Sequence, residues 1–162
     1  MRVLSLFDGM GCGMIALREL GIEPEVYYAS EIDKYAIMQT SCNFPDVIHV
    51  GDVRELDISN LGRIDLLIGG SPCTDFSFGG RMAGASTADK QEILSLEQYL
   101  ELRDAGYEFE GESYLFWDYV RILTELRNVN PDILFLLENV EMQTKWENVI
   151  DSALGIKGAH IN

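Results

Sequence analysis

The stretch that decides the fold is Val3-Leu4-Ser5-Leu6-Phe7-Asp8-Gly9-Met10-Gly11-Cys12-Gly13, written VLSLFDGMGCG. It begins with an apolar run, passes through alternating glycines and continues into residues 14–20, which have helical spacing. Strand, glycine turn and helix in this order indicate the start of a βαβ unit, in which the turn lets the backbone approach a ligand at the helix N-terminus. The spacing is GxGxG rather than GxGxxG, so the glycines serve either close packing or ligand binding, and the spacing alone does not decide between them.

Four further apolar runs follow, at residues 25–29, 47–50, 64–68 and 132–137. Helical patterns cover 33–41, 94–105, 115–127 and 146–154, and 156–162 have the pattern of another strand beginning. Near-continuous apolar runs are typical of strands buried on both faces. The alternation therefore predicts an α/β fold: a mostly parallel twisted sheet with helices on both faces.

Length and composition limit the possibilities. The 162 residues suit about one domain, which we expect to span 1–162. No apolar run approaches the roughly 20 residues needed to cross a bilayer, so we expect no membrane association and a cytoplasmic protein. Cys12, Cys42 and Cys73 fit neither a disulfide framework nor a metal site, and the first two are predicted to be buried. The two histidines, His49 and His160, are isolated, so no metal is expected.

The charge balance is strongly acidic. There are 27 acids against 12 bases, for a formal net charge of -15. A surface of this kind repels polyanions on average, whereas nucleic-acid binding normally needs a basic face. Any nucleic-acid function has to account for that charge.

Polar residues follow the apolar runs, where ligands bind in open α/β sheets. These are Asp8, Glu31, Asp52, the segment around Cys73, and Glu138. Because parallel strands end at one edge, we expect the five positions to converge on one site.

Each acid has two interpretations. Glu31 lies about 20 residues after the glycine turn, where an acid can accept hydrogen bonds from both ribose hydroxyls, or can instead cap a helix. Asp52 can accept from an exocyclic amine such as that of adenine, or cap the next turn. Taken together these positions indicate a nucleoside-bearing cofactor, and the absence of a GK[ST] loop argues against a nucleoside triphosphate.

The segment Gly69–Ser77, written GGSPCTDFS, presents a cysteine after a proline that stiffens the loop. Cys73 is either a nucleophile, if its thiolate is favoured, or a small buried residue. Glu138 directly follows an apolar run, so we expect a partly desolvated carboxyl that holds or delivers a proton, or one satisfied by loop amides.

The ordered set SLFDGMGCG, SEIDKYA, GDVREL, GGSPCTDFS and LLENV resembles the first, second, third, fourth and sixth motifs of the C5-cytosine DNA methyltransferase family. The resemblance runs from Ser5 to Val140. It implies an S-adenosylmethionine-dependent methyltransferase fold of Rossmann-like type and methyl transfer to cytosine C5, in settings such as restriction-modification. By this resemblance Cys73 attacks cytosine C6, Glu138 holds or protonates N3, and the base leaves the duplex. The residues implied to bind the cofactor are Phe7, Asp8, Gly9, Met10, Gly11, Glu31, Ile32, Asp52, Val53, Gly70, Pro72 and Leu115.

The sequence departs from the family pattern in two respects. Residues 79–113 form an expected insertion or lid, and Ser113-Tyr114 stand where family members often carry Gly-Arg. The family's later Gln-x-Arg-x-Arg motif and target recognition region have no counterpart, so we expect a C-terminally truncated catalytic part that needs a missing region or partner chain to bind DNA. The alternatives are a cofactor-binding module without catalysis, one half of a two-chain enzyme, an RNA substrate, and self-association through exposed apolar surface.

Overall fold

A computed structural model describes residues 1–80 and 84–161. Its strands are β1 (Arg2–Leu6), β2 (Val26–Ser30), β3 (Ile48–His49), β4 (Leu66–Gly70), β5 (Ser86–Thr87), β6 (Phe109–Glu110) and β7 (Leu134–Glu138). Its α-helices are α1 (Cys12–Glu19), α2 (Lys34–Asn43), α3 (Leu96–Asp104), α4 (Phe116–Val129) and α5 (Thr144–Leu154). No helix in these ranges is both long and apolar enough to cross a membrane.

The chain divides into two compact units. Unit 1 consists of Met1–Gly70 and Ile122–Glu138, and unit 2 consists of Ser71–Arg121 and Asn139–Asn162. The division falls directly after β4 and after β7. The glycine turn therefore belongs to unit 1 and the cysteine loop to unit 2.

Unit 1 contains a five-stranded sheet in the order β3-β2-β1-β4-β7, with every pairing parallel. The register aligns Leu6 with Ser30 and Gly69, and Gly70 with Glu138. The strands therefore end at one edge, and the predicted parallel α/β sheet is confirmed. One buried cluster combines side chains of β1 and β2 with those of α1 and the segment that follows α2, and comprises Val3, Leu17, Tyr27, Ala29, Phe44 and Val47.

Gly13 explains how closely α1 packs on the sheet. A Cβ at this position would lie 2.4 Å from Ile68 Cδ1 and 2.6 Å from the Tyr27 hydroxyl. A side chain would therefore push the helix away from β2 and β4. The third glycine of the turn is a packing glycine, as one of the two interpretations of the sequence proposed.

The structure corrects four predictions. β4 begins and ends two residues later than expected, and its last two residues are Gly69 and Gly70. β7 is not buried on both faces, because Leu134 and Leu136 are exposed along one face of this edge strand. Residues 156–161 form no strand, and Asn162 lies outside the described residues. Cys12 and Cys42 are exposed rather than buried, since both lie on helices of unit 1 with their side chains open to solvent.

Unit 2 has little sheet. Its two-residue strands β5 and β6 pair antiparallel, with Ser86 opposite Glu110. Phe76 packs edge-on against Trp146 of α5 at 5.5 Å between ring centroids. Inside this unit the buried Asp118 accepts hydrogen bonds from the Tyr99 hydroxyl at 2.7 Å and from Arg121 Nε at 3.1 Å. Burial and the neighbouring carboxylate raise the pKa of Tyr99, which keeps this hydroxyl a donor.

The expected insertion at 79–113 contains β5, α3 and β6 within this unit. Arg81 to Ala83, which the sequence analysis included in it, lie outside the described residues. α3 covers 96–104, inside the predicted helical stretch, and Ser95 caps its N-terminus by accepting from the Gln98 amide. Within 84–113 the segment therefore consists of one helix and two short strands that pair with each other.

Candidate functional site

The glycine turn in unit 1 has a left-handed backbone at alternate residues. Phe7, Gly9 and Gly11 have φ angles of 55°, 59° and 83°. The Asp8 amide donates to the carbonyl of Ser30 at 3.2 Å, which joins the turn to the end of β2. A Cβ on Gly9 would meet no atom within 4 Å, so this side of the turn is open. Glycine at this position therefore serves the backbone angle and keeps the space clear.

Glu31 holds this turn. Its carboxylate accepts the Gly9 amide at 2.8 Å, the Ile32 amide at 2.8 Å and the Asp33 amide at 2.9 Å. Asp33 caps α2, so the predicted capping by Glu31 is not observed; Glu31 instead joins the glycine turn to the segment that leads into α2. A carboxylate has about four acceptor sites, so roughly one is left for a further donor.

Asp8 is a buried carboxylate inside the turn, 7% exposed. Its Oδ1 accepts the Tyr27 hydroxyl at 2.7 Å, while Oδ2 has no hydrogen-bond partner among the described residues. Burial, and next the adjacent Asp8 charge, raise the pKa of Tyr27, so the phenol remains a donor. An unpaired buried carboxylate oxygen is costly, and such an oxygen in a glycine turn is typical of a ligand site.

Asp52 follows β3 and is engaged by its neighbour. Its Oδ1 accepts the Arg54 amide at 2.9 Å, and the Arg54 guanidinium pairs with both carboxylate oxygens. The hydrogen bond from Arg54 holds the pKa of Asp52 below its usual value. The capping interpretation is therefore present in the structure. Ser30 supports the same loop by donating to the carbonyl of Gly51 at 2.8 Å.

Glu138 is the last residue of β7 and sits opposite Gly70 in the parallel register. A Cβ on Gly70 would lie 3.0 Å from Glu138 Oε2, so the glycine leaves room for this carboxylate. Glu138 is exposed, which contradicts the expected partial desolvation. The reason is that β7 is an edge strand with one exposed face.

In unit 2, Cys73 begins a single turn of chain. Its carbonyl accepts the amides of Phe76 and Ser77, both at 3.0 Å, and its side chain is half-buried. Ahead of it, the buried Ser71 accepts from the Asn139 amide group at 3.1 Å. The thiol thus lies half-buried on a hydrogen-bonded loop, and its role as a nucleophile stays a prediction.

The remaining predicted cofactor residues fall into three groups. Met10 and Ile32 are exposed apolar side chains, 56% and 66%, directly beside Gly9 and Glu31 in the chain. Val53 is 5% exposed, so its side chain is in the interior. Pro72 and Leu115 are half-buried residues of unit 2.

Sequence reasoning missed the side chains that support these residues. Tyr27 orients Asp8, Thr40 donates to the carbonyl of Gly9 at 3.2 Å, and Asp75 binds the turn at Glu112 and Ser113. A tyrosine in an apolar strand and a threonine in a helix have no distinguishing pattern. Asp75 did have one signal: it is a charged residue directly before the buried Phe76.

A parallel sheet whose first strand runs into a glycine turn, with acids at the following strand ends, defines an α/β protein of the nucleoside-cofactor-binding class. The chain belongs to the C-5 cytosine-specific DNA methylase family, whose model matches residues 1–151. The matched range includes Cys73 and Glu138. The resemblance stated from the motifs is thereby confirmed.

Curated relatives include methyltransferases of Bacillus phages. The orphan methyltransferase M.Rho11sI of Bacillus phage rho11s is 45% identical over 86 residues, covering 52% of this chain and 17% of that protein. The orphan methyltransferase M.SPBetaI of Bacillus phage SPbeta is 36% identical over 105 residues, covering 61% and 24%. The chain therefore spans less than a quarter of the length of these relatives.

Solved structures agree on the fold. A DNMT2 mutant of Spodoptera frugiperda superposes with a TM-score of 0.63 at 21% identity, covering 95% of this chain and 40% of that one. The Dnmt2 methyltransferase of S. pombe gives 0.55 at 18% identity, covering 96% and 39%. At this identity the likeness concerns the architecture, which is the predicted Rossmann-like methyltransferase fold.

Proposed function

We propose that this chain is the cofactor-binding and nucleophile-bearing part of a DNA (cytosine-5-)-methyltransferase. It transfers a methyl group from S-adenosylmethionine to cytosine C5 through a covalent bond between Cys73 and C6. The observation that carries the proposal is the family match over residues 1–151, which contains the glycine turn, Cys73 and Glu138 in the family's order.

The glycine turn of unit 1 fits this cofactor. Asp8 Oδ2 is buried without a partner among the described residues, and Glu31 retains about one acceptor site. These acceptors suit donors such as an ammonium group and a ribose hydroxyl. The open space at Gly9 and the exposed Met10 and Ile32 suit close approach and apolar contact.

We assign the cofactor to the residues that the family resemblance implies. The amino and ribose groups go to the turn and Glu31, and the adenine goes to Ile32, Asp52 and the main chain of Val53. Asp52 already accepts four contacts from Arg54, so the adenine amine takes the place of part of that pairing in this assignment. Gly70, Pro72 and Leu115 complete the assignment.

S-adenosylmethionine supplies an electrophilic methyl group when bound. In the proposed reaction the Cys73 thiolate adds to C6, and the electron pair of the C5–C6 bond makes C5 nucleophilic. Glu138 holds a proton at N3, which offsets the charge that the addition creates. The new bond to C5 forms as the methyl–sulfur bond breaks, which leaves the neutral thioether S-adenosylhomocysteine. Water acting as a base then removes the C5 proton, the bond between Cys73 sulfur and C6 breaks to return the thiolate, and the N3 proton returns to Glu138.

In the proposed function, a basic surface outside this chain is needed for binding nucleic acid. A net charge of -15 opposes DNA, and the chain spans 17% and 24% of two relatives. We propose that a C-terminal region or a complementary chain supplies the basic surface, with the 79–113 segment as an insertion in the 1–162 domain. The three free cysteines suit a cytoplasmic setting.

Cofactor binding is tested by calorimetry on two glycine variants. Gly9 and Gly21 have φ angles of 59° and 71°, and a Cβ on either would meet no atom within 4 Å. Both alanine variants therefore carry a similar backbone strain of roughly 1 to 2 kcal/mol. We expect Gly9→Ala to weaken S-adenosylmethionine binding at least roughly ten-fold and Gly21→Ala to leave it unchanged. Equal affinities in the two variants contradict the assignment of the turn.

Activity is tested by transfer of a labelled methyl group to DNA. The chain is assayed alone and with the C-terminal region of the rho11s phage relative added as a separate polypeptide. We expect transfer with the added region, its loss in Cys73→Ser, and its retention in Cys12→Ser. Cofactor binding without transfer under both conditions favours a binding module, and transfer to RNA but not to DNA changes the substrate assignment.

A further inference from the structure

Asp75 is a buried carboxylate for which the proposed reaction has no use. It lies two residues after Cys73 and is 4% exposed. A buried carboxylate is retained at low cost only where hydrogen bonds satisfy it. Its partners among residues 1–80 and 84–161 lie in the same unit.

Asp75 and the turn before α4 bind each other in both directions. Asp75 Oδ2 accepts the Glu112 amide at 3.2 Å and the Ser113 amide at 3.4 Å. In return the Asp75 amide donates to Ser113 Oγ at 3.1 Å, and Ser113 is fully buried. Two neutral amides and one hydroxyl thus fix both the side chain and the main chain of this residue.

The other end of the same segment is attached to Asp75 as well. The Gly84 amide donates to the Asp75 carbonyl at 2.8 Å. Gly84 precedes β5, and Gly111 to Ser113 follow β6, so the hairpin with α3 begins and ends on one residue. We call residues 84–113 the clamp segment.

Glycine at position 111 allows the chain to approach the Asp75 carboxylate closely. Its φ is +61°, and a Cβ would lie 2.2 Å from Asp75 Oδ2. Gly106 in the same segment has a φ of +78° but would meet nothing within 4 Å. The two positions share the backbone requirement for glycine and differ in the approach to Asp75.

Fixing Asp75 also fixes Cys73. The Cys73 carbonyl accepts the Phe76 and Ser77 amides, so residues 73–77 form one closed turn with Asp75 at its centre. Phe76 is 1% exposed and packs against Trp146. The position of Cys73 is therefore set by a short hydrogen-bonded turn, and the clamp segment is bonded to that turn at Asp75.

We propose that Asp75 is a positioning residue for Cys73, and that the clamp segment holds the nucleophile's loop through it. The proposal rests on the proposed function only in naming Cys73 the nucleophile. Because the described donors to the Asp75 side chain are neutral main-chain amides, the acceptor oxygen of residue 75 is what matters. Asparagine at 75 keeps an acceptor oxygen, and alanine does not.

The test measures amide exchange and Cys73 alkylation in the full chain, followed by peptide mass spectrometry. In Asp75→Ala we expect the amides of residues 75–77, 112 and 113 to exchange roughly ten-fold faster or more. We also expect Cys73 to react with iodoacetamide roughly three-fold faster or more across neutral to alkaline pH, while Cys12 and Cys42, both exposed, react as before. Asp75→Asn should stay within about two-fold of the unmodified chain in both measurements.

Two matched controls separate positioning from general loss of stability. Gly111→Ala should reproduce the effect of Asp75→Ala, and Gly106→Ala should not. Asp118→Asn alters a buried carboxylate of the same unit that binds Tyr99 and Arg121 instead, and should lower the melting temperature without changing the Cys73 rate.

An unchanged Cys73 rate in Asp75→Ala overturns the proposal, as does an equal change in Asp118→Asn or a loss in Asp75→Asn as large as that in Asp75→Ala. The assays need neither cofactor nor nucleic acid. If the exchange and alkylation rates change as expected but the chain never transfers a methyl group, the positioning role of Asp75 stands and the proposed function is rejected.

Discussion

Unit 1 and unit 2 hold their polar residues in place by different means. In unit 1, Asp8 and Glu31 follow strands that are paired in a five-stranded parallel sheet, and Glu138 ends its edge strand. In unit 2 the paired strands β5 and β6 have two residues each, and Cys73 lies on a loop. The loop depends on a few bonds between side chains and main chain, chiefly those of Asp75.

This difference predicts how each unit responds to substitution. The strand ends of the sheet are fixed by many main-chain hydrogen bonds. A substitution at one strand end therefore alters contacts with a ligand more than it shifts the backbone. A loop held by one carboxylate shifts when a single contact is lost or crowded. We therefore expect Cys73 to be displaced more easily than the acids at the strand ends.

The largest effect is expected at the end of the cysteine loop. A Cβ on Gly80 would lie 1.7 Å from the Thr74 carbonyl oxygen, a main-chain atom that can yield only if the loop moves. Gly80→Ala should lower the free energy of unfolding by roughly 3 kcal/mol and accelerate Cys73 alkylation. Urea unfolding and alkylation rates measure the two effects.

The neighbouring Gly79 is the control, because a Cβ there would meet nothing within 4 Å. Gly79→Ala should change the free energy of unfolding by no more than about 0.5 kcal/mol. If the two alanine variants are equally stable, the loop is not packed as described.

A smaller effect is expected in unit 1, at Gly13 of α1. Glycine to alanine within a helix usually stabilises by about 0.5 to 1 kcal/mol. Here the new Cβ would meet Ile68 Cδ1 and the Tyr27 hydroxyl, so Gly13→Ala should instead destabilise by about 2 kcal/mol in urea unfolding.

Ile68→Val removes the Cδ1 methyl that the new Cβ meets. The double variant should therefore recover part of the loss, and the coupling between the two sites should be favourable. Additive losses would contradict the close contact. Cys73 alkylation should not change in either variant.

The smallest effect concerns acid pH. The hydrogen bond from Arg54 lowers the pKa of Asp52, so this carboxylate stabilises the fold above its unfolded value of about 3.9, and the contribution is lost as the pH falls through the folded value. Because the pair is on the surface and screened by solvent, Asp52→Asn should cost a few tenths of a kcal/mol near neutral pH and nothing in strong acid.

Asp46 is an exposed aspartate that serves as the control. Asp46→Asn should leave the acid limb of the stability curve in place. An Asp52→Asn curve with the same acid limb as the unmodified chain would reject the role given to Arg54.

The sequence pattern predicted unit 1 better than unit 2 for a physical reason. A near-continuous apolar run indicates a buried strand, and alternating glycines indicate a turn with positive φ angles. The location of β1 and the position of Asp8 could therefore be predicted from local residues. The edge position of β7, which exposes Glu138, depends on sheet order and could not be read from its own residues.

Unit 2 follows from contacts between distant residues. Asp75 and Ser113 are 38 positions apart and meet through amides rather than through a periodic pattern. Cys73 was recognisable as a candidate from its local residues, but its support was not. For Asp52 the capping role that the sequence suggested is observed, whereas for Glu31 it is not, because Asp33 caps α2.

The central claim is that Cys73 attacks cytosine C6, and trapping the adduct tests it most directly. Fluorine at C5 cannot leave as a proton does, so duplex DNA carrying 5-fluorocytosine should remain attached after methylation. With S-adenosylmethionine and the added C-terminal region of the phage relative, mass spectrometry should find the adduct on the peptide containing Cys73, and none in Cys73→Ser. No adduct under these conditions, or attachment at Cys12 or Cys42, would contradict the account.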